Sequence, residues 1–159
     1  MTDQMLDYTD KVVLVTGGAT GIGRATALLF AAHGAAVVIG DIDEQAKETI
    51  SLIEHAGGQA RFVKADVTRA ADMERLLGAT IETFGGLHAA FNNAGVLSPT
   101  APLADMSEAD WDRIIDVDLK GVFLAMKYEL THMPRAGGGA IVNTDCPRPG
   151  RHADDSTLA

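Results

Sequence analysis

The strand-like run Lys11-Val-Val-Leu-Val-Thr16 leads directly into Gly17, Gly21 and Gly23. The order Thr16-Gly17-x-x-x-Gly21-x-Gly23 suits the holding of a diphosphate. Glycine lacks a Cβ, so the backbone turns tightly and an anion can approach it. The residues after Gly21 read as a helix, whose amino terminus offers unpaired N–H groups and a positive dipole end. Asp41 ends a second strand-like run twenty residues after Gly21. A carboxylate there accepts hydrogen bonds from ribose hydroxyls and repels a 2′-phosphate. An equally simple role for Asp41 is that of a turn residue leading into the next helix. The single cysteine, Cys146, lies among Pro147, Arg148, Pro149, Arg151 and His152. A reactive thiol needs a base or cation placed against it, and the two prolines leave that geometry unreadable. His152, Asp154 and Asp155 match no metal-ligand spacing, so this stretch reads as a solvated tail.

These residues need elements to position them. Five short apolar runs read as strands, at 11–16, 35–40, 60–65, 87–92 and 140–144. Their near-continuous apolar character is that of strands covered on both faces, as in a parallel sheet. Helical patterns alternate with them. Residues 21–33 carry apolar positions at Ile22, Ala25, Leu28 and Leu29, with Gly34 as a stop. Residues 43–56 form a more polar helix, and residues 70–84 carry Met73, Leu76, Leu77 and Ile81 on one face. The longest helix is expected from about Ser107 to Met133. Ser107 is its N-cap, Asp110 sits at the capping-box position, and Trp111, Ile114, Ile115, Val122 and Met126 form its stripe. The alternation implies an α/β fold, a doubly wound Rossmann-type parallel sheet of about five strands. The domain reading is a lead-in at 1–10, a dinucleotide-binding domain at 11–144 and a polar tail at 145–159.

Bulk properties narrow the function classes. The chain has 159 residues, 47% of them hydrophobic, enough to bury a core. Its net charge of -9 disfavours nucleic acid and acidic lipid surfaces as partners. One cysteine permits no internal disulfide and suits a reducing cytoplasm. The acidic start MTDQMLDYTDK is not a signal peptide, and no apolar run approaches a membrane span.

Taken together, TGxxxGxG at 16–23, ADVT closing the third strand, NNAG at 92–95 and DLKGVF on the long helix resemble the short-chain dehydrogenase/reductase family over roughly residues 9–144. The resemblance implies an NAD(P)-dependent oxidoreductase that moves hydride between a nicotinamide and an alcohol or ketone, in a family that tends to homo-oligomers. It places the cofactor on Thr16, Gly17, Gly21, Ile22, Gly23, Asp41, Asp66, Val67, Asn93, Ala94 and Gly95. Within that set, Asp66 is the residue that bonds the adenine. NADP-preferring members often carry Arg or Lys in the glycine motif or just after the second strand. Here those places hold Thr20 and Ile42. Arg24 lies just past the glycines, where covering the helix surface is a sufficient role. NAD is therefore favoured over NADP.

The family's catalytic set is not matched. Its Tyr-x-x-x-Lys is absent: Tyr8 is followed four residues on by Val12, and Tyr128 by His132. The family's Ser position falls at Cys146, and its helix Asn at Asp118 in VDLKG. Asp118 has a similar shape but lacks amide donors. Aliphatic periodicity stops abruptly after Thr144, as a truncation or frameshift would produce. The fifth strand is then expected to be an open edge and the long helix to lose cover. Three readings follow: a catalytically impaired piece of a dehydrogenase, a non-catalytic dinucleotide-binding module or partner subunit, and a nonfunctional fragment. The residues that would shape a substrate pocket lie mostly beyond Thr144.

Overall fold

A computed structural model describes residues 6–97, 102–133 and 137–144. The strands are β1 (Val12–Thr16), β2 (Ala36–Asp41), β3 (Gln59–Lys64), β4 (Ala89–Asn92) and β5 (Ala140–Asn143). The helices between them are α1 (Gly21–Ala32), α2 (Ala46–His55), α3 (Ala70–Phe84), α4 (Glu108–Ile114) and α5 (Gly121–His132). A one-turn 3₁₀ segment at Leu103–Asp105 precedes α4. The five strands form one parallel sheet in the order β3-β2-β1-β4-β5. Strand order therefore reverses between β1 and β4. In such sheets the crevice for a ligand opens at the carboxyl ends of those two strands.

The pleat of β1 explains the two-sided core. Val13 and Val15 face one layer, packed with Ala27, Val37, Ile39, Ala46 and Ile53. Leu14 faces the other, packed with Val38, Met73, Leu76, Leu77, Leu87, Leu124 and Ala125. All five residues of β1 are buried, as the continuous apolar run requires. The face expected on α3 also holds: Met73, Leu76 and Leu77 are buried and Ile81 packs beside them.

Two expected helix faces are corrected. In α1, Ile22 and Leu29 are 63% and 57% exposed, and Ala25 is exposed as well. The buried contacts are Gly23 and Ala27, with Leu28, Phe30 and Ala31 partly covered. The helix lies so close to the sheet that its contact row must be small residues. The single long helix is also revised. A π-helical segment, Ile115–Lys120, joins α4 to α5. The wider turn rotates the residues after it relative to an unbroken helix. Burial consequently falls on Gly121, Leu124, Ala125 and Glu129, with Val122 and Met126 half-buried and Trp111 exposed.

β5 pairs with β4 alone among the described strands, and Val142 is 56% exposed. Leu119, Phe123 and Leu130 are exposed on the helical layer. Cys146, Arg148, Arg151, His152, Asp154 and Asp155 lie outside the described residues.

Candidate functional site

The glycine turn is built by three neighbours. Gly17 has φ 71° and Gly21 φ 54°, a left-handed backbone open to glycine at low cost. Gly17 packs against β4, where a Cβ would lie 2.9 Å from Ala94 Cα. A Cβ on Gly23 would lie 2.1 Å from the Gly17 carbonyl oxygen, so the first turn of α1 rests directly on the loop. Gly21 differs: no atom lies within 4 Å of where its Cβ would be. Gly21 is also the first residue of α1. No side chain caps that terminus, and no acid stands in its first turn. The Arg24 N–H bonds the Thr20 carbonyl. The N–H groups of Gly21, Ile22 and Gly23 precede that bond and are the ones a helix leaves without internal partners.

Asn93 fixes this loop to β4. Its Nδ2 donates to the carbonyls of Thr16 and Gly17 at 3.2 and 3.1 Å. The N–H groups of Asn93 and Ala94 both donate to Thr16 Oγ1 at 3.1 Å. Thr16 itself is buried, so its hydroxyl serves the loop from behind. Asp41 is tied to the same loop: Oδ2 accepts from the Ala19 N–H and Oδ1 from the Asp43 N–H, each at 2.9 Å. The turn role and a ligand role coexist, since each carboxylate oxygen can accept a second bond. Arg24 turns toward α2, with Nε on Thr49 Oγ1 at 3.0 Å and Nη2 on Glu48 at 3.2 Å.

On the neighbouring strand end, Asp66 Oδ1 accepts from both the N–H and the hydroxyl of Thr68. The Asp66 N–H in turn donates to Asp72 Oδ2 at 3.0 Å. That bond, with the Arg75 guanidinium, holds the Asp72 carboxyl below its ordinary value. Val67 is buried beside Gly121, where a Cβ would lie 2.8 Å from Val67 Cγ2.

Asp118 lies in the π-helical segment, and its Oδ1 accepts from the Val96 N–H at 2.8 Å. It thus clamps the loop after Gly95 to the helical layer. Only an acceptor is required, so Asp118→Asn is expected to leave stability within about 1 kcal/mol. Asp118→Ala is expected to lose about 2 kcal/mol, the scale of a hydrogen bond to a charged group. Urea unfolding of both variants checks this.

Sequence reasoning missed Glu129. It is fully buried on α5, and its Oε2 accepts from Asn92 Nδ2 at 3.1 Å. Burial raises its pKa to about 7, opposed by the hydrogen bond from Asn92. The signal was available: Gly121, Ala125, Glu129 and Met133 are four residues apart and all buried, so an acid stands in an otherwise apolar row. Among the described residues no three His, Cys, Asp or Glu side chains gather as metal ligands. Nor is any helix there long and apolar enough to cross a membrane. A cleft of about 710 Å³ lined by Lys11, Leu28, Gly34 and Leu52, among others, lies at the amino ends of β1 and β2, away from the glycine turn.

A parallel sheet whose order reverses beside a glycine turn, with an uncapped helix behind it, defines a Rossmann-type α/β protein. The chain belongs to the short-chain dehydrogenase family, whose model matches residues 11–147. It is 44% identical over 138 residues to a cyclohexanol dehydrogenase of Acinetobacter sp., covering 86% of this chain and 55% of that protein. It is 45% identical over 136 residues to a cis-4-hydroxycyclohexanecarboxylate dehydrogenase of Sinomonas cyclohexanicum, with 86% and 55% covered. The solved structure of a levodione reductase superposes with a TM-score of 0.82 at 35% identity, covering 86% of this chain and 54% of that one. The chain thus spans about half the length of these relatives and aligns with their amino-terminal part.

Proposed function

We propose that this chain is the dinucleotide-holding part of an NAD-dependent short-chain dehydrogenase, and that residues 1–159 bind the cofactor without turning over substrate. The observation that carries the reading is the α1 terminus, which no side chain caps and which begins at Gly21, with no atom within 4 Å of where its Cβ would be. The N–H groups of Gly21, Ile22 and Gly23 would hold the pyrophosphate, with Asn93 keeping the loop in shape from behind. Asp41 would accept from the adenosine ribose, and Asp66 would hold the adenine with Oδ2, since its Oδ1 is engaged by Thr68. Val67 would wall the adenine side, and Ala94 and Gly95 would border the nicotinamide side.

NAD is favoured over NADP on two grounds. A carboxylate at Asp41 repels a 2′-phosphate. The Arg nearest the motif, Arg24, is committed to Thr49 and Glu48. When bound, the nicotinamide supplies or takes up a hydride. This sequence contains no Tyr-x-x-x-Lys to move the accompanying proton. For the whole protein, an alcohol or ketone on a carbon ring is the substrate class to test first, on the strength of the two dehydrogenases named for ring compounds.

Calorimetric titration of residues 1–159 with NADH and NADPH tests the binding. NADH is expected to bind at least about 10-fold more tightly, a difference of about 1.4 kcal/mol. Absence of binding to either overturns the reading. Hydride transfer to NAD from cyclohexanol, followed by absorbance, is expected to stay at background. Measurable turnover would remove the claim that the chain lacks chemistry.

A further inference from the structure

Glu129 sits where a charge has no support. It is fully buried on α5, and among the described residues the only hydrogen bond of its side chain is the one that Oε2 accepts from Asn92 Nδ2 at 3.1 Å. The same Nδ2 gives its other hydrogen to Asn143 Oδ1 at 2.9 Å. Both amide hydrogens of Asn92 are then used. Among the described residues two buried oxygens are left without a partner: Glu129 Oε1 and Asn92 Oδ1. They belong to the two planar groups that the Nδ2–Oε2 bond already joins. With Glu129 ionised, both are acceptors and nothing in the pair can donate between them. Such orphaned buried acceptors are costly.

One proton resolves both atoms. We propose that Glu129 is held as the neutral carboxylic acid and donates from Oε1 to Asn92 Oδ1, closing an acid–amide clasp that fastens α5 to the carboxyl ends of β4 and β5. The amide donates to the acid and the acid donates back, so each group satisfies the other. Asn143 extends the clasp to β5, and Asn92 precedes the Asn93 that shapes the glycine turn.

The surroundings suit a neutral group. β4 and β5 present the amides Asn92 and Asn143. α3, which packs on α5, turns Met73, Leu76, Leu77 and Thr80 inward. On the helical layer itself, Lys120 pairs with Asp116, Asp118 is engaged by Val96, and Lys127 lies over the Tyr128 ring. His132 is partly covered in the last turn of α5. No ionised group contributes to the shift of Glu129, which comes from burial, opposed by the Asn92 bond. Its folded pKa of about 7 lies above the ordinary 4.5. The clasp's contribution to stability is therefore complete below 4.5 and is lost as pH rises through about 7.

The test uses the whole 159-residue chain. Carbon-13 NMR of the glutamate carboxyls, with the E129Q spectrum assigning the resonance, is expected to give a Glu129 midpoint near 7. A midpoint within the ordinary glutamate range, about 4.3, overturns the proposal and would indicate an ionised Glu129 bridged to Asn92 by water. Urea unfolding is the second measurement. Glutamine carries a donor and an acceptor as the neutral acid does, but does not titrate. E129Q is expected to match the unaltered chain at about pH 5 and to have the higher urea midpoint at about pH 8. A difference that stays constant with pH, or an E129Q chain that fails to fold at low pH, counts against the clasp.

Discussion

Gly23→Val is expected to abolish dinucleotide binding, by at least about 100-fold, and to lower stability by about 3 kcal/mol. A Cβ at this position would lie 2.1 Å from the Gly17 carbonyl oxygen and 2.7 Å from Asn93 Nδ2. Neither neighbour can retreat. The carbonyl belongs to the turn, and the amide is held by two bonds to the backbone. The first turn of α1 must therefore lift away from the loop, taking with it the N–H groups proposed to hold the pyrophosphate. Gly78→Ala is the matching control. Gly78 lies within α3 with nothing within 4 Å of its Cβ position. Alanine there is expected to be neutral or to stabilise by up to about 1 kcal/mol, through helix propensity. Calorimetric titration with NADH and urea unfolding of the two variants separate these outcomes. Equal behaviour of Gly23→Val and Gly78→Ala would show that α1 is not seated on the loop as described.

Asp41→Ala is expected to invert the cofactor preference. The carboxylate accepts from the Ala19 and Asp43 N–H groups, and hydrogen bonds to a charged group contribute about 1.5–3 kcal/mol each. Losing them loosens the glycine loop, and any bond to the ribose goes too. NADH affinity should fall about 10- to 100-fold. NADPH should bind more tightly than it does to the unaltered chain, because the charge that repels its phosphate is gone. Parallel titrations with both dinucleotides check this. A fall for NADH with no gain for NADPH would mean that Asp41 acts only as the anchor of the turn.

The exposed apolar side chains of β5 and α5 bear on how such experiments are run. Val142, Phe123 and Leu130 are all more than half exposed. Exposed apolar patches favour association. Light scattering at the concentrations used for titration should accompany each binding measurement.

Much of the architecture is legible in the sequence. Continuous apolar runs in the first two strands give buried parallel strands, because both faces of such a strand meet helices. The glycine spacing at 17, 21 and 23 marks the turn, because only glycine tolerates those contacts. Ser107 caps α4 as expected, its Oγ accepting from the Asp110 N–H at 3.1 Å. The Asp110 carboxylate, however, accepts from the Ser107 hydroxyl at 2.7 Å. Half of the reciprocal capping pattern is thus replaced by a side-chain pair.

What the sequence alone determined is order and type: five strands, the helices between them, the glycine turn and the acid that ends β2. These follow from local rules, since propensity, periodicity and glycine chemistry act within a few residues. Tertiary structure decided which helix faces are buried and which polar atoms meet. Close seating of α1 put Gly23 and Ala27 inward and left Ile22 and Leu29 exposed, against hydrophobicity. The π-helical segment re-phased α5 and carried Glu129 to Asn92, 37 residues away in sequence. No periodicity contains that meeting. It depends on the parallel register of β1, β4 and β5 and on the packing of α5 against β4.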